Sequence, residues 1–115
     1  MMLDYDYMRN RMIDVLTKMS RMDVKNAPNY RMMLALRDAF VAYGVPKASA
    51  ELLVGAMKIS VSEQAVNDPE LMRRVCEAFG VLVGDMYQAI RTDFETNPDQ
   101  ILLSMAGQLS INMEF

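Results

Sequence analysis

The first 22 residues carry an apolar stripe with the spacing of one side of an α-helix, and this pattern constrains the fold more than any other. Its members recur three and four residues apart: Tyr5, Met8, Met12, Val15, Met19 and Met22. This spacing is typical of a helix that packs against another helix. Asp4 and Asp6 stand near its start and Lys18 and Arg21 near its end, which suits the helix dipole. The pattern predicts an N-terminal helix.

Gly and Pro divide the middle of the chain into further helical stretches. A second helix is predicted over about residues 29–43, and because it is apolar on most sides we expect it in the middle of a bundle. Gly44 ends it by adopting the left-handed cap conformation, and the Pro two residues later blocks continuation. A third helix is predicted over about residues 46–58. The capping-box spacing of Ser60 and Glu63 predicts a short helix after it.

The stretch over residues 69–95 forms either one long helix or two. It begins with a strong start signal, because Asp68 can cap the helix and Pro69 suits the first helical position. An apolar seam then recurs at helical spacing: Met72, Val75, Phe79, Leu82 and Met86. Gly80 and Gly84 lie four residues apart, so they either interrupt the helix or let another backbone approach closely. The sequence leaves both alternatives open.

A last helix and an extended tail complete the chain. Asn97 and Pro98 repeat the helix start signal. In the tail, Ile111 and Met113 alternate with polar residues, which predicts a segment that lies extended on its neighbour. Together these patterns predict a single domain over residues 1–115, an all-α compact bundle of five to six short helices.

The chain lacks, or nearly lacks, the residue types on which most enzymes and many metal sites depend. The chain has no His and a single Cys, Cys76. His is the usual acid–base group at neutral pH, and one Cys excludes both an internal disulfide and a Cys-rich zinc site. Apolar residues surround Cys76 in the sequence, so we expect a buried and inert thiol. The prediction is a protein that is not an enzyme and holds no cofactor or metal.

Two segments resemble parts of ligand-binding motifs, one for nucleotides and one for calcium, but both motifs are incomplete. Gly80 and Gly84 lack the downstream Lys and Ser/Thr of a nucleotide-binding loop, so we interpret them as packing residues. The oxygen-bearing side chains of residues 93–99 are spaced as in the start of a calcium loop. The positions that need Gly and Glu hold Pro98 and Ser104 instead, so calcium binding is not expected.

Residues 38–50 read Asp-Ala-Phe-Val-Ala-Tyr-Gly-Val-Pro-Lys-Ala-Ser-Ala, and this segment resembles the helix-turn-helix of bacterial repressors. The resemblance implies a small DNA-binding regulator that uses residues 38–54, with Lys47 and Ser49 in contact with DNA. Two features differ from the family's pattern: Phe40 stands where a small residue is usual, and residues 51–54 (Glu-Leu-Leu-Val) are mainly apolar where base-contacting polar residues belong. The net charge of −3 also differs from the broad basic surface of a DNA-binding protein.

Charge is unevenly divided along the chain. Residues 1–58 carry nine Lys/Arg and six Asp/Glu, which gives +3. Residues 59–115 carry three and nine, which gives −6. The positive first half keeps nucleic-acid binding open as an alternative, because contacts with phosphates supply much of the affinity for DNA.

Methionine is enriched, at 13 of 115 residues. Met side chains are flexible and polarisable, so Met-lined helix surfaces adapt to varied apolar partners. The leading hypothesis is a non-enzymatic protein-binding module: an adaptor, an assembly factor or a stoichiometric inhibitor. The N-terminal stripe is the expected interface with a protein partner or with a second copy in a dimer or small oligomer, and the alternative is that it fills the domain's own core.

Neither a membrane nor an extracellular location is indicated. No apolar run approaches the roughly 20 residues that span a bilayer, and the acidic start differs from the basic start of a secretory signal. The cytoplasm is the expected location. Small acidic helical proteins of this kind are common in phages and mobile elements, and a viral origin is an expectation from that base rate alone.

Overall fold

The structure is a computed structural model in which residues 6–7, 9–14, 27–91 and 97–115 are described. Residues 6–7 and 9–14 are helical and belong to α1. The elements that follow are α2 (Pro28–Ala42), α3 (Lys47–Ala56), β1 (Lys58–Val61), α4 (Glu63–Val66), α5 (Pro69–Arg91), α6 (Pro98–Ala106) and β2 (Ser110–Met113). The fold is therefore mostly helical and compact, as predicted, but it also contains a two-stranded sheet that an all-α bundle lacks.

Helix α2 lies at the centre of the core. The side chains of Met32, Leu36 and Phe40 have no exposed surface. The helix packs against α5 and α3, and also against β1 and α4. Its composition explains this position, because a helix that is apolar on most sides gains most from neighbours on several sides.

The turn after α2 fixes the path of the chain. Gly44 has a φ of +97°, the left-handed conformation that glycine adopts without steric cost. The next residue, Val45, is buried in the core at 2% exposure. The predicted glycine cap is thus confirmed, and it directs the chain from α2 into α3.

The two glycines of α5 are packing positions within one continuous helix. Helix α5 runs without a break from Pro69 to Arg91, and both Gly80 and Gly84 are buried. A Cβ atom at Gly80 would lie 2.7 Å from the ring of Tyr43, and one at Gly84 would lie 2.8 Å from the Tyr43 backbone oxygen. Of the two alternatives, close approach is the one observed, because only a missing Cβ leaves room for the end of α2.

Side-chain caps begin the later helices, and one of them differs from the prediction. Asp68 Oδ1 accepts a hydrogen bond from the Leu71 N–H at 3.1 Å at the start of α5. Asn97 caps α6 by accepting from the next two amide groups inside the helix. The cap of α4 is Ser62, which accepts from the Ala65 N–H at 3.2 Å. The predicted cap was wrong, because Ser60 lies inside β1 and its backbone takes part in the sheet.

The sheet joins two distant parts of the chain. Strands β1 and β2 are parallel, with Ile59 opposite Ile111 and Val61 opposite Met113. Ile111 and Met113 are buried at 5% and 8% exposure, whereas their neighbours in β2 are exposed. The tail is therefore extended on a neighbouring segment, as its alternating sequence predicts.

Candidate interaction surfaces

The predicted interface stripe of the N-terminal helix falls largely outside the described residues. Of its six members, only Met12 is described, and it is helical and half-buried. Its neighbour Ile13 is 46% exposed, and Tyr7 is 61% exposed. The remaining five members lie outside the described residues: Tyr5, Met8, Val15, Met19 and Met22. The stripe as an interface stays a prediction.

A second apolar surface follows the length of α5, and we call it the α5 stripe. It consists of Met72, Val75, Phe79, Leu82 and Met86. Sequence spacing predicts these residues as a seam between helices, but none of the five is fully buried, and Leu82 is 49% exposed. The buried residues of α5 are Gly80, Val83 and Gly84. The helix is thus turned so that its glycines face Tyr43 and part of its apolar seam remains at the surface.

Ion pairs cover the first turns of α5. Glu70 pairs with Arg73 at 2.8 Å and with Arg74 at 3.0 Å, and Arg73 also pairs with Glu77 at 3.0 Å. The hydrogen bonds from Arg73 and Arg74 lower the pKa of the Glu70 carboxyl group. These pairs are exposed and spaced by three or four residues, so each adds little to stability. They give the start of the α5 stripe a polar border.

A shallow depression of about 400 Å³ lies at the corner between α2 and α3. Its lining residues are Arg37, Asp38, Val41, Ala42 and Lys47. Arg37 is already paired with Asp38 at 3.1 Å, so the depression carries one unneutralised positive side chain among its described lining residues, that of Lys47. This arrangement suits contact with an acidic or phosphate-bearing surface.

The structure separates the two residues that the repressor resemblance implies as DNA contacts. Lys47 is exposed at the first position of α3. Ser49 is only 4% exposed, and its hydroxyl donates a hydrogen bond to Asp99 Oδ1 of α6. Ser49 therefore holds two helices together, and of the two side chains only that of Lys47 reaches the surface.

Helix α3, which corresponds to the reading helix of the resemblance, contributes mainly to the core. Leu52, Leu53 and Val54 are buried at 2%, 0% and 3% exposure. The helix packs against both α2 and α6. A reading helix needs exposed polar side chains that reach base edges, and the centre of α3 is apolar and covered.

Cys76 is half-buried on α5 and packs against the core. Its burial raises the pKa of the thiol, and the negative charge of Asp38 raises it further. A raised pKa lowers the fraction of thiolate, which is the nucleophilic form of cysteine. The expected inert thiol agrees with this environment, although the side chain is less buried than the sequence predicts.

Within the described part of the chain, neither a metal site nor a membrane-spanning helix is present. Among residues 6–7, 9–14, 27–91 and 97–115, no group of three His, Cys, Asp or Glu side chains could hold a metal ion. Within the same ranges, no helix has both the length and the apolar character needed to cross a membrane. Sequence reasoning identified the members of the α5 stripe but not their exposure, which depends on how α5 is rotated against α2.

Comparison with known proteins found no matching family model, no similar curated protein and no similar solved structure.

Proposed function

We propose that this chain is a non-enzymatic protein-binding module, an adaptor, assembly factor or stoichiometric inhibitor, whose partner covers the α5 stripe. The observation that carries the proposal is Leu82, 49% exposed in line with four half-buried apolar residues of the same helix, of which Met72, Val75 and Phe79 also pack against the core. A long apolar stripe on a small domain is typical of a surface that another protein covers.

The spacing of the stripe favours a helical partner. Its residues follow one another at intervals of three and four positions from Met72 to Met86, the spacing by which one helix packs along another. Met72 and Met86 stand at its ends, and flexible Met side chains adjust to the shape of a partner. Leu82 is the most exposed member of the stripe, so it has the most apolar surface left to bury against a partner.

The proposal is tested by a tagged pull-down from native lysate, with and without nuclease, read by mass spectrometry. Leu82→Asp places a charge in the stripe at an exposed position, so we expect a folded protein that no longer retains its stoichiometric partner. Val81→Asp is the matched control, because Val81 is 41% exposed on the same helix but lies outside the stripe. Equal retention by both variants would refute the stripe as the binding surface.

The alternative function is a small DNA-binding regulator that uses residues 38–54. Its support is the position of Lys47, exposed at the start of α3 and at the edge of a depression that also contains Arg37. This alternative ranks second because Ser49 and the centre of α3 are buried.

The salt dependence of DNA binding tests the alternative function. DNA binding through phosphate contacts weakens steeply as salt concentration rises. Under this alternative, the unmodified chain binds duplex DNA at low ionic strength, and Lys47→Glu weakens binding strongly while the helical content is unchanged. An unmodified chain without salt-dependent DNA affinity would eliminate the alternative.

A further inference from the structure

The two edges of the β1–β2 sheet differ in what covers them. Ser62 donates its backbone N–H to Met113 O at 3.0 Å. In a parallel ladder with this register, the backbone N–H and C=O groups of even-numbered β1 residues form hydrogen bonds with those of odd-numbered β2 residues. Val61 therefore directs its N–H to the outer edge of β1, where Asn29 Oδ1 of α2 accepts it at 2.8 Å.

Among the described residues, no side chain covers the outer edge of β2 in this way. By the same alternation, the backbone groups of Ser110, Asn112 and Glu114 point away from β1. All three residues are exposed. Within the described ranges, the one hydrogen bond to these outward groups is local and long, from the Glu114 N–H to Asn112 Oδ1 at 3.4 Å.

The strand itself lacks the features by which proteins block strand addition, and the one charged outward residue, Glu114, follows its last residue. Exposed edge strands usually carry a Lys, a Pro or a bulge that prevents another strand from pairing. The sequence from Ser110 to Met113 is Ser-Ile-Asn-Met, without charge or Pro, and its register with β1 is regular. An uncovered edge of this kind is a template for a further strand.

We propose that β2 pairs antiparallel with β2 of a second copy of this chain, about a two-fold axis at Asn112, to form a four-stranded sheet. In this register Asn112 lies opposite Asn112 of the second copy, and Ser110 lies opposite its Glu114. These are the residues whose backbone groups point outward, so every opposed pair exchanges two hydrogen bonds. The same edge is therefore complementary to itself, as a two-fold interface requires.

The side chains in and beside β2 also favour a second copy of the chain as the partner at this edge. The register places Ile111 opposite Met113 of the second copy, which extends the buried apolar face of the sheet. Phe115 is 65% exposed in the single chain and would lie opposite the half-buried Leu109 of the second copy. Apolar pairs across antiparallel strands are stabilising.

Charge complementarity supports the same register. Glu114 would lie opposite the uncharged Ser110 of the second copy, so no like charges are opposed. Ser110 is itself opposite Lys58 in the β1–β2 register, and Lys58 is exposed. Each Glu114 is thus two strands from the Lys58 of the other copy and on the same face of the sheet. The two symmetry-related Glu114–Lys58 pairs, each about 10 Å apart, add a weak attraction that salt screens.

Analytical ultracentrifugation of the full chain tests the pairing. We expect a dimer for the unmodified protein and a monomer with unchanged circular dichroism for Asn112→Pro. Pro removes an outward N–H, which an edge strand tolerates because the bonds to β1 remain. Asn112→Ala is the matched control that keeps the N–H and the dimer. A monomeric unmodified chain, or a dimer that survives Asn112→Pro, would overturn the proposal.

Cysteine pairing tests the register, in a Cys76→Ala background. Residues in a hydrogen-bonded antiparallel pair have Cα atoms about 5.5 Å apart, within the range that a disulfide bridges. Asn112→Cys should therefore form an intermolecular disulfide under mild oxidation. Ser110→Cys is equally accessible, but the register places the two copies of residue 110 about 14 Å apart, so it should stay reduced.

The outcomes of these experiments also distinguish the proposed pairing of two copies from other ways of covering the outer edge of β2. A disulfide at residue 110 in place of residue 112 contradicts the two-fold register. A monomer that binds an extended peptide of another protein at this edge contradicts self-pairing. The α5 stripe belongs to a different element, so loss of a partner with Leu82→Asp is measured independently of the dimer, and either proposal can fail alone.

Discussion

The backbone oxygen of Tyr43 lies so close to Gly84 that a Cβ atom on the glycine would be only 2.8 Å away. Real Cβ atoms essentially never come this close to another heavy atom. The Tyr43 oxygen belongs to the turn between α2 and α3, whose path is fixed by the positive φ of Gly44. The end of α2 therefore rests on the bare backbone of α5.

Gly84→Ala should destabilise the fold. Overpacking typically costs about 1–3 kcal/mol, whereas Ala gains up to about 1 kcal/mol over Gly in a helix. We expect a net loss of about 1–2 kcal/mol in the free energy of unfolding, measured by urea denaturation, because backbone atoms cannot move aside as a side chain can.

Gly107→Ala serves as the control for that experiment. A Cβ atom at Gly107 would meet nothing within 4 Å, and its φ of −64° suits any residue. Its stability should be unchanged or rise by about 0.5 kcal/mol. Equal losses for both variants would show that the contact with Tyr43 is not the cause.

Ser49→Ala should weaken the junction between α3 and α6. The Ser49 hydroxyl donates to Asp99 Oδ1 from a nearly buried position. A hydrogen bond to a charged group contributes about 1.5–3 kcal/mol, and we expect a loss near the lower end because Asp99 is partly exposed. Ser104→Ala is the control, since Ser104 is exposed and bonds within its own helix. Its effect should stay within about 0.5 kcal/mol.

Stability should fall at alkaline pH because of Cys76. Burial raises the pKa of its thiol in the folded state, so the unfolded state loses its proton first as pH rises. The free energy of unfolding should decline above the pKa of a free cysteine, about 8.5. Comparing the unmodified protein with Cys76→Ala between pH 7 and pH 10 isolates this contribution. A decline that persists unchanged in Cys76→Ala would assign it to other groups.

The same pKa shift predicts slow thiol chemistry. Cys76 in the native protein should react with a thiol reagent more slowly than in denaturant, because less thiolate is present and half of the side chain is covered. Equal rates in both states would contradict the inert environment described for this residue.

Met12→Glu distinguishes an interface from a core at the N-terminal helix. Met12 is half-buried, so a charge there should abolish partner binding or self-association if the stripe is an interface. The helical content and the melting temperature of the chain should then be retained. Global unfolding, seen as loss of the circular dichroism signal, would instead identify the stripe as part of the core.

Local signals predicted the helix starts and stops well, and they failed where the structure depends on distant contacts. Asp68, Asn97 and Gly44 act within a few residues of themselves, so their roles follow from sequence alone. Strand β1 is only four residues long and its partner begins about 50 residues later, at Ser110. Four residues give no clear periodicity, and their extended conformation follows from pairing with β2.

The candidate surfaces show the same difference between features set by local sequence and features set by distant contacts. Helical spacing identified the apolar residues of α5, because periodicity is a property of the segment itself. Spacing does not determine which part of that apolar face is turned inward. The rotation of α5 follows from Tyr43 against Gly80 and Gly84, and that contact depends on tertiary packing. Leu82 is exposed as a result of this rotation.

The parallel pairing of β1 with β2 also has a consequence for the order in which the chain folds. Helices α4, α5 and α6 all lie between the two strands, so the pairing closes a loop of about 50 residues. Closing such a loop has an entropic cost that contacts within a helix or between neighbouring helices do not have. Helix formation should therefore precede strand pairing, and pulse-labelled hydrogen exchange should protect the amide groups of α2 and α5 before that of Ile111.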